Sequence, residues 1–402
     1  MASGCIVVAG HLCVDFIPAL HAPLLQIAQP GALGAIGEAT WSLGGAVGNS
    51  GLALHRLADG VAVRLVAKIG QDRFGEIIEA LLNERDSPEA GEPERLTSNL
   101  LRDPDLGTSY TIVIDPPGVD RALYSHFGTL DHTTAEDIGG SAALEGASIL
   151  HFGYPTHMRQ FYINDGAELA ALFTQAKANG ITTSIDVALP DASLPSAALD
   201  WRSILRTVLP HTDVFAPSLA ELVFMLDRPR FERECVESGI GPTALESSLT
   251  EHLDWVDRSC AELLEMGAAV VVVKLGEHGI RARSTADAAR LSAGAMGAAA
   301  PERTGASLDG WLNQSVVAPA FRIRELKGSV GAGDATVGGF LASMLRGLSL
   351  AECCRMACAT GGASVEGAEA ADEIPTWGEL RARVEAGWAT LVPGEDGPPE
   401  KL

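Results

Sequence analysis

The sequence predicts an α/β fold: a parallel β-sheet with helices on both faces, and a separate β-hairpin unit set into its first half. Three observations predict it. Residues 5–10 form a continuous apolar run ending in glycine, the mark of a strand buried on both sides. From Ser148 onward, apolar runs of strand length alternate with longer segments of helical period, the pattern of a parallel sheet whose ligands sit beyond the carboxyl ends of its strands. Between them, the β-rich runs 108–115 and 121–125 flank Pro116-Pro117-Gly118, a turn signal that makes a hairpin.

In chain order, the first strand leads to Asp15, which lies between Val14 and Phe16. An aspartate in this place either caps a turn or accepts hydrogen bonds from ligand hydroxyls. Gly44-Gly45-Ala46-Val47-Gly48-Asn49 then opens a helix through Leu57. Close backbone approach at Gly44 and Gly45, followed by an amide that both donates and accepts at Asn49, is what a ligand with several hydroxyls requires. A strand over 61–68 follows, and Asp72 is placed to cap a helix running through Leu82. The acidic, turn-rich run 86–94 reads as an exposed connection. Thr108, at the start of the hairpin, is a candidate pocket contact.

In the alternating part, strands are expected at 148–152, 181–186 and 214–215, and helices at about 162–178 and 197–208 and from Ser218. Asp186 ends a strand, and it either contacts a phosphate-bound Mg2+ or caps a turn. The most apolar strand, near 268–273, ends in Lys274-Leu275-Gly276 and a Gly-x-x-Gly turn, where the Lys274 ammonium can reach a phosphate or point to solvent. Segments 228–248 and 284–315 read as surface insertions, the second rich in Ala, Gly and Ser without periodicity, and 393–402 as a loose tail. Two closing helices are expected over 332–345 and 349–364.

The stretch Gly328-Ser329-Val330-Gly331-Ala332-Gly333-Asp334 carries the chemistry. Glycines at 331 and 333 allow a tight turn whose N–H groups face one anion at a helix N-terminus. A carboxylate at the same place repels a phosphate but is well sited to take a proton. The short pattern alone also fits a small-residue helix start packed against a strand.

Together with the earlier segments, this motif resembles the ribokinase-like (PfkB) carbohydrate kinases, in which Gly-Ala-Gly-Asp ends a longer signature. The resemblance runs through Gly44-Gly45 with Asn49, Gly70-Gln71-Asp72-Arg73-Phe74-Gly75, Glu221 and Lys274-Leu275-Gly276 in the family's order, over nearly the whole chain. It implies a ribokinase-like parallel-sheet sandwich over residues 1–392, with a β-sheet lid from about 11–18, 39–44 and 107–126 that covers the sugar. It also implies a kinase using ATP and Mg2+. Asp334 would be the general base, with Gly331, Ala332 and Gly333 forming the anion hole. Asp15, Gly44, Gly45, Asn49 and Thr108 would line the sugar pocket. Lys274, Gly276, Ser329 and Gly361 would lie on the nucleotide side, and Glu221 would help hold the metal. A nucleoside kinase of the same fold and a non-catalytic sugar or nucleotide sensor are the other functions such a chain could have. Lid hairpins in this family often pair between two chains, so a homodimer is expected.

The sequence departs from the family at three places. Gly328 and Ser329 stand where the signature begins Asp-Thr, Ser218 replaces the asparagine of Asn-x-x-Glu, and Ala46 stands where ribokinases proper often carry lysine. The family's aspartate at the place of Gly328 helps bind an activating monovalent cation, so the expectation here is weak or absent activation by K+. A large rate increase with K+ over Na+ would overturn it.

Composition narrows the alternatives. A net charge of −23 leaves no basic field for nucleic acid. The 7 cysteines include no Cys-x-x-Cys pair, which argues against zinc and suits a reduced cytoplasm. The start of the chain lacks a basic region before its apolar run, so no signal peptide is expected, and no stretch is long and apolar enough to span a membrane. There is no Gly-Lys pair for a Walker A loop, and the glycines at 328–333 are in the wrong order for a dinucleotide fingerprint.

Overall fold

The computed structural model describes residues 5–20, 33–57, 61–85, 96–116, 122–140, 142–190, 192–237, 241, 245, 253–293, 308–367 and 373–391. The connection expected at 86–94, the Pro117-Gly118 turn, the centre of 284–315, parts of 228–248 and the tail at 393–402 lie outside them.

Nine strands form the main sheet: β1 (Cys5–Gly10), β4 (Ala62–Gly70), β5 (Leu96–Asp103), β8 (Ala147–Gly153), β9 (Thr182–Asp186), β10 (Val214–Phe215), β11 (Val270–Lys274), β12 (Ile280–Ser284) and β13 (Ser315–Ala318), in the order β13-β12-β11-β10-β9-β8-β1-β4-β5. The pairings from β5 across to β11 are parallel, and β12 and β13 add an antiparallel edge. All six residues of β1 are buried, and their alternation divides them between two cores. Ile6 and Val8 join one core, and Cys5, Val7 and Ala9 join the other. The same parity sends Val270 and Val272 of β11 to the first core and Val271 and Val273 to the second. A strand covered on both faces must be apolar at every position, which is why these runs lack polar residues.

The first core is closed by α1 (Gly45–Leu57), α2 (Arg73–Arg85) and the three C-terminal helices, and the second by α3 (Ala167–Ala178), α4 (Trp201–Val208), α5 (Leu219–Leu226) and α6 (Leu253–Glu265). The C-terminal helices are α7 (Ala332–Leu345), α8 (Leu350–Ser364) and α9 (Trp377–Glu385). No helix among the described residues is long and apolar enough to cross a membrane.

A second sheet has the order β3-β2-β6-β7, from β2 (Cys13–Pro18), β3 (Ala39–Gly44), β6 (Tyr110–Ile114) and β7 (Ala122–His126). Its register separates two faces. Ser42, Asp15, Thr111 and Ser125 pair across the four strands in one row, and Trp41, Phe16, Ile112 and Tyr124 form the next row on the opposite face. The second face rests at one end on α2, where Phe74 lies 4.6 Å from Tyr110 and 6.1 Å from Trp41 between ring centroids.

Several boundaries differ from expectation. The helix expected from 162 begins at Ala167, because Asn164, Asp165 and Gly166 all take left-handed backbone that breaks it. The helix expected over 197–208 begins at Trp201, where Asp200 accepts from the Arg202 and Ser203 amides. The sequence reading omits β5, β12, β13 and α9. In β12, arginines alternate with apolar residues because the sheet's antiparallel end packs only one of its faces fully.

Candidate active site

The parallel strands bring the ends of β8, β9, β10 and β11 to one edge, and the N-termini of α1 and α7 meet there. Gly331 caps α7 in left-handed backbone, φ 70° and ψ 3°, which a side chain would strain. A Cβ on it would also come within 3.1 Å of the Asn49 side chain. Two turns further along, Gly338 lets α7 approach α1, since a Cβ there would lie 3.1 Å from that of Ala53. This close crossing carries Asn49 and Ser50 of α1 onto the first turn of α7.

Asp334 sits in that turn with 2% of its surface exposed. Tyr154 Oη donates to its Oδ2 at 2.7 Å and Asn49 Nδ2 donates to the same oxygen at 3.0 Å. Ser50 Oγ lies 3.3 Å from Oδ1. Burial pushes the Asp334 carboxyl above its ordinary range, while the Tyr154 hydrogen bond, the Lys274 ammonium and the donors Asn49 and Ser50 pull it back. The result is a carboxylate that is dry, raised and oriented, the condition of a general base.

Lys274 ends β11, and its Nζ lies 2.6 Å from both carboxylate oxygens of Asp186 at the end of β9. A Cβ on Gly333 would lie 3.6 Å from the same nitrogen, so the ammonium stands beside the glycine turn at the head of α7. Burial lowers the Lys274 pKa, but Asp186, Glu221 and Asp334 outweigh it and keep the group charged. Burial pushes Asp186 up, toward about 8; Lys274 opposes this, and Glu221 and Asp334 add to it. That upward push and the geometry pull apart, and the geometry decides. Both oxygens accept from Lys274 and Oδ1 also accepts from the Val187 amide at 2.9 Å, the pattern of an ionised carboxylate.

Glu221 closes a capping box on α5. Its carboxylate accepts from the Ser218 amide at 2.6 Å, and the Ser218 hydroxyl accepts from the Glu221 amide. Burial raises its pKa, with Lys274 opposing. Among the described residues no group of three or more His, Cys, Asp and Glu is placed to hold a metal by itself.

On the other side of the glycine turn that opens α1, Asp15 of β2 lies over Gly44, where a Cβ would come within 2.3 Å of its Oδ1. Gly45 has φ 76°, and a Cβ on it would meet the His11 carbonyl oxygen at 2.5 Å. Gly45 is therefore required by its φ and its backbone approach, while a side chain at Gly44 would displace the Asp15 carboxylate.

Of the site residues expected from sequence, Asp334, Gly331, Ala332, Gly333, Asn49 and Lys274 come together, and Asp15, Gly44 and Gly45 adjoin them. Ser329 is exposed just before the turn. Gly276 has φ 57° and begins the tight turn after β11. Two more of the expected residues have packing or hydrogen-bonding roles in the fold. Thr108 is 1% exposed, and its hydroxyl donates to Asp72 Oδ1 at 2.7 Å and accepts from the Gly70 amide at 2.8 Å. Those bonds tie the hairpin to the cap of α2, whose first turn Asp72 also holds through the Gly75 amide at 2.9 Å. Gly361 packs against a neighbouring helix. A Cβ there would lie 2.4 Å from Thr336 Oγ1 on α7. Sequence reasoning misses Tyr154 and Ser50. The only local trace of the first is Gly153-Tyr154-Pro155 directly after a strand, and the second merely follows Asn49.

The chain matches the family described as pfkB family carbohydrate kinase over residues 5–377. No curated protein matches it at a significant level. Similar solved structures include Arabidopsis thaliana ribokinase complexed with ribose and ATP, 17% identical with a TM-score of 0.63 over 95% of this chain and 98% of that one. Fructokinase from Xylella fastidiosa with bound ATP is 18% identical, TM-score 0.64, over 95% and 98%. The Methanocaldococcus jannaschii nucleoside kinase, a ribokinase-family member, is 17% identical, TM-score 0.62, over 95% and 98%. At these identities the likeness shows the fold.

Proposed function

The chain belongs to the pfkB family of carbohydrate kinases, and from that premise we propose that it transfers the γ-phosphoryl group of ATP to a hydroxyl of a sugar or polyol. The observation that carries this is the juxtaposition at the head of α7. A buried carboxylate, Asp334, lies one residue beyond a glycine turn whose other side faces the Lys274 ammonium. A binding protein needs the donors but not the base.

In this reading Asp15 and Asn49 orient the acceptor, and Asp334 takes the proton of the attacking hydroxyl. The amides of Val330 to Gly333 and Lys274 stabilise charge on the phosphoryl oxygens, strengthened by the low dielectric of a closed site. Mg2+ keeps several waters and takes only one or two carboxylates along with nucleotide phosphates, and Glu221 and Asp186 are the carboxylates that would hold it. When bound it supplies charge neutralisation to the phosphates. The four-stranded sheet would close over the acceptor and exclude water, which competes for the phosphoryl group.

The apolar row Trp41, Phe16, Ile112 and Tyr124 on the outer lid face supports pairing of two copies, with Trp41 39%, Ile112 37% and Tyr124 62% exposed. The cysteines, all unpaired and buried among the described residues, suit a cytoplasmic protein.

The test is ADP release from MgATP across pentoses, hexoses, sugar acids, polyols and nucleosides, with Asp334→Asn beside the wild type. Turnover on a sugar or polyol, reduced about 10²–10⁴-fold by the substitution, supports the reading. Turnover on nucleosides alone would move the acceptor class, and an Asp334→Asn protein as fast as wild type would refute the base.

A further inference from the structure

Tyr154 is held in a costly backbone conformation at the edge of the site. It follows the last residue of β8 with φ 62° and ψ 48°, left-handed backbone that is costly for a residue with a Cβ. Its amide donates to the Asp186 carbonyl at 3.0 Å, which locks the backbone to the end of β9. Its ring packs edge-on to His11 at 5.7 Å and His157 at 6.1 Å. Its hydroxyl donates to Asp334 Oδ2 at 2.7 Å.

That bond makes the two oxygens of the base unequal. Oδ2 takes two donors, Tyr154 and Asn49, while Oδ1 has only Ser50 at 3.3 Å. An oxygen with two short donors has little lone-pair density left to accept a third proton, so Oδ1 is the open one. The phenol does not compete as a base. Burial and the charges of Asp334, Asp186 and Glu221 push its pKa well above the ordinary tyrosine value, and it stays a donor at working pH.

Resting on the reading of Asp334 as the base, we propose that Tyr154 is its positioning residue: the phenol pins Oδ2, turns Oδ1 toward the acceptor hydroxyl and holds the carboxylate in its charged form. The groups facing Asp334 are Lys274 from β11, Asp186 from β9, Glu221 from α5, Asn49 and Ser50 from α1, and Tyr154 from the end of β8. Lys274 also favours the charged form and the two acidic groups, Asp186 and Glu221, oppose it, so loss of Tyr154 shifts the balance toward the protonated acid. The neighbouring His11 adds no charge, since burial and His157 hold it down to about 3.

Tyr154→Phe in the full chain keeps the ring and removes the hydrogen bond. The expected result is a kcat lowered about ten- to a hundredfold, the loss of one charge-assisted hydrogen bond, with the acceptor KM changed less than about threefold. The acidic limb of the kcat–pH profile moves upward by about one unit, because the acid form has lost its opponent. Tyr154→Asn, which tolerates the left-handed backbone and is too short to reach Asp334, gives the same shift and serves if the phenylalanine variant does not fold. An unchanged kcat and limb, or a raised KM with kcat intact, overturns the proposal. A second readout needs no substrate: carboxyl 13C NMR of aspartate-labelled protein, with Asp334→Asn assigning the resonance. An upward-shifted Asp334 titration in Tyr154→Phe supports the proposal even if no acceptor is turned over, and an unshifted one overturns it even if the kinase reading stands.

Discussion

Replacing Lys274 by methionine tests the charge network at the strand ends. The ammonium is bound by both oxygens of Asp186 at 2.6 Å, and the two side chains are 11% and 1% exposed. Removing one partner of such a buried pair leaves the other charge uncompensated, at a cost of about 3–5 kcal/mol. Here the cost has a ceiling set by pH, because Asp186 escapes by taking a proton. Protonating a carboxyl of ordinary pKa about 3.9 costs about 1.4 kcal/mol per pH unit, so the ceiling is about 4 kcal/mol at pH 7 and about 2 kcal/mol at pH 5.5. In the variant, burial, Glu221 and Asp334 raise Asp186 without opposition, so its folded-state pKa lies above its unfolded value. A folded state that keeps a proton the unfolded state has lost becomes less stable as pH rises between those two values. Lys274→Met should therefore lose stability relative to wild type most at pH 7 and roughly half as much at pH 5.5. Urea unfolding of both proteins at the two pH values measures it. A stability difference independent of pH, or no difference at all, would refute the reasoning and mean that Asp186 already carries a proton in the wild type.

Thr108→Val removes a hydroxyl that bridges Asp72 and Gly70 in a buried place, so it should cost about 1–3 kcal/mol of stability while leaving the acceptor KM alone; a raised KM with unchanged stability would restore it to the pocket. Gly331→Ala strains a left-handed cap and crowds Asn49 by way of a Cβ at 3.1 Å. It should lower kcat for phosphoryl transfer more than it lowers the melting temperature, and steady-state kinetics with calorimetry would separate the two. Tyr124→Glu on the outer lid face should shift a homodimer toward monomer in sedimentation, with wild-type protein that is already monomeric ruling out the lid pairing.

Features that depend on neighbours in the chain were legible in the sequence. β1 could be read because burial on both faces demands apolar residues throughout, and the hairpin because its strands and turn residues are contiguous. The head of α7 could be read because Gly331, Gly333 and Asp334 lie within one turn, where glycine freedom and helix-end polarity act locally. What surrounds the Asp334 carboxylate is not local. Tyr154 reaches it from 180 residues away and Asn49 from 285, and Lys274 meets Asp186 across 88. No periodicity marks these pairs. They meet because the sheet order places the ends of β8, β9 and β11 at one edge, and because Gly338 lets α7 settle against α1. Thr108 makes the same point in reverse. Next to the hairpin it resembles a pocket residue, and only the folded chain, by turning its hydroxyl onto Asp72, makes it structural. The sequence by itself determined the kinase fold and the glycine turn at the head of α7, because those follow from short-range geometry. The tertiary structure decided which side chains surround Asp334, because only packing brings together residues that the chain keeps far apart.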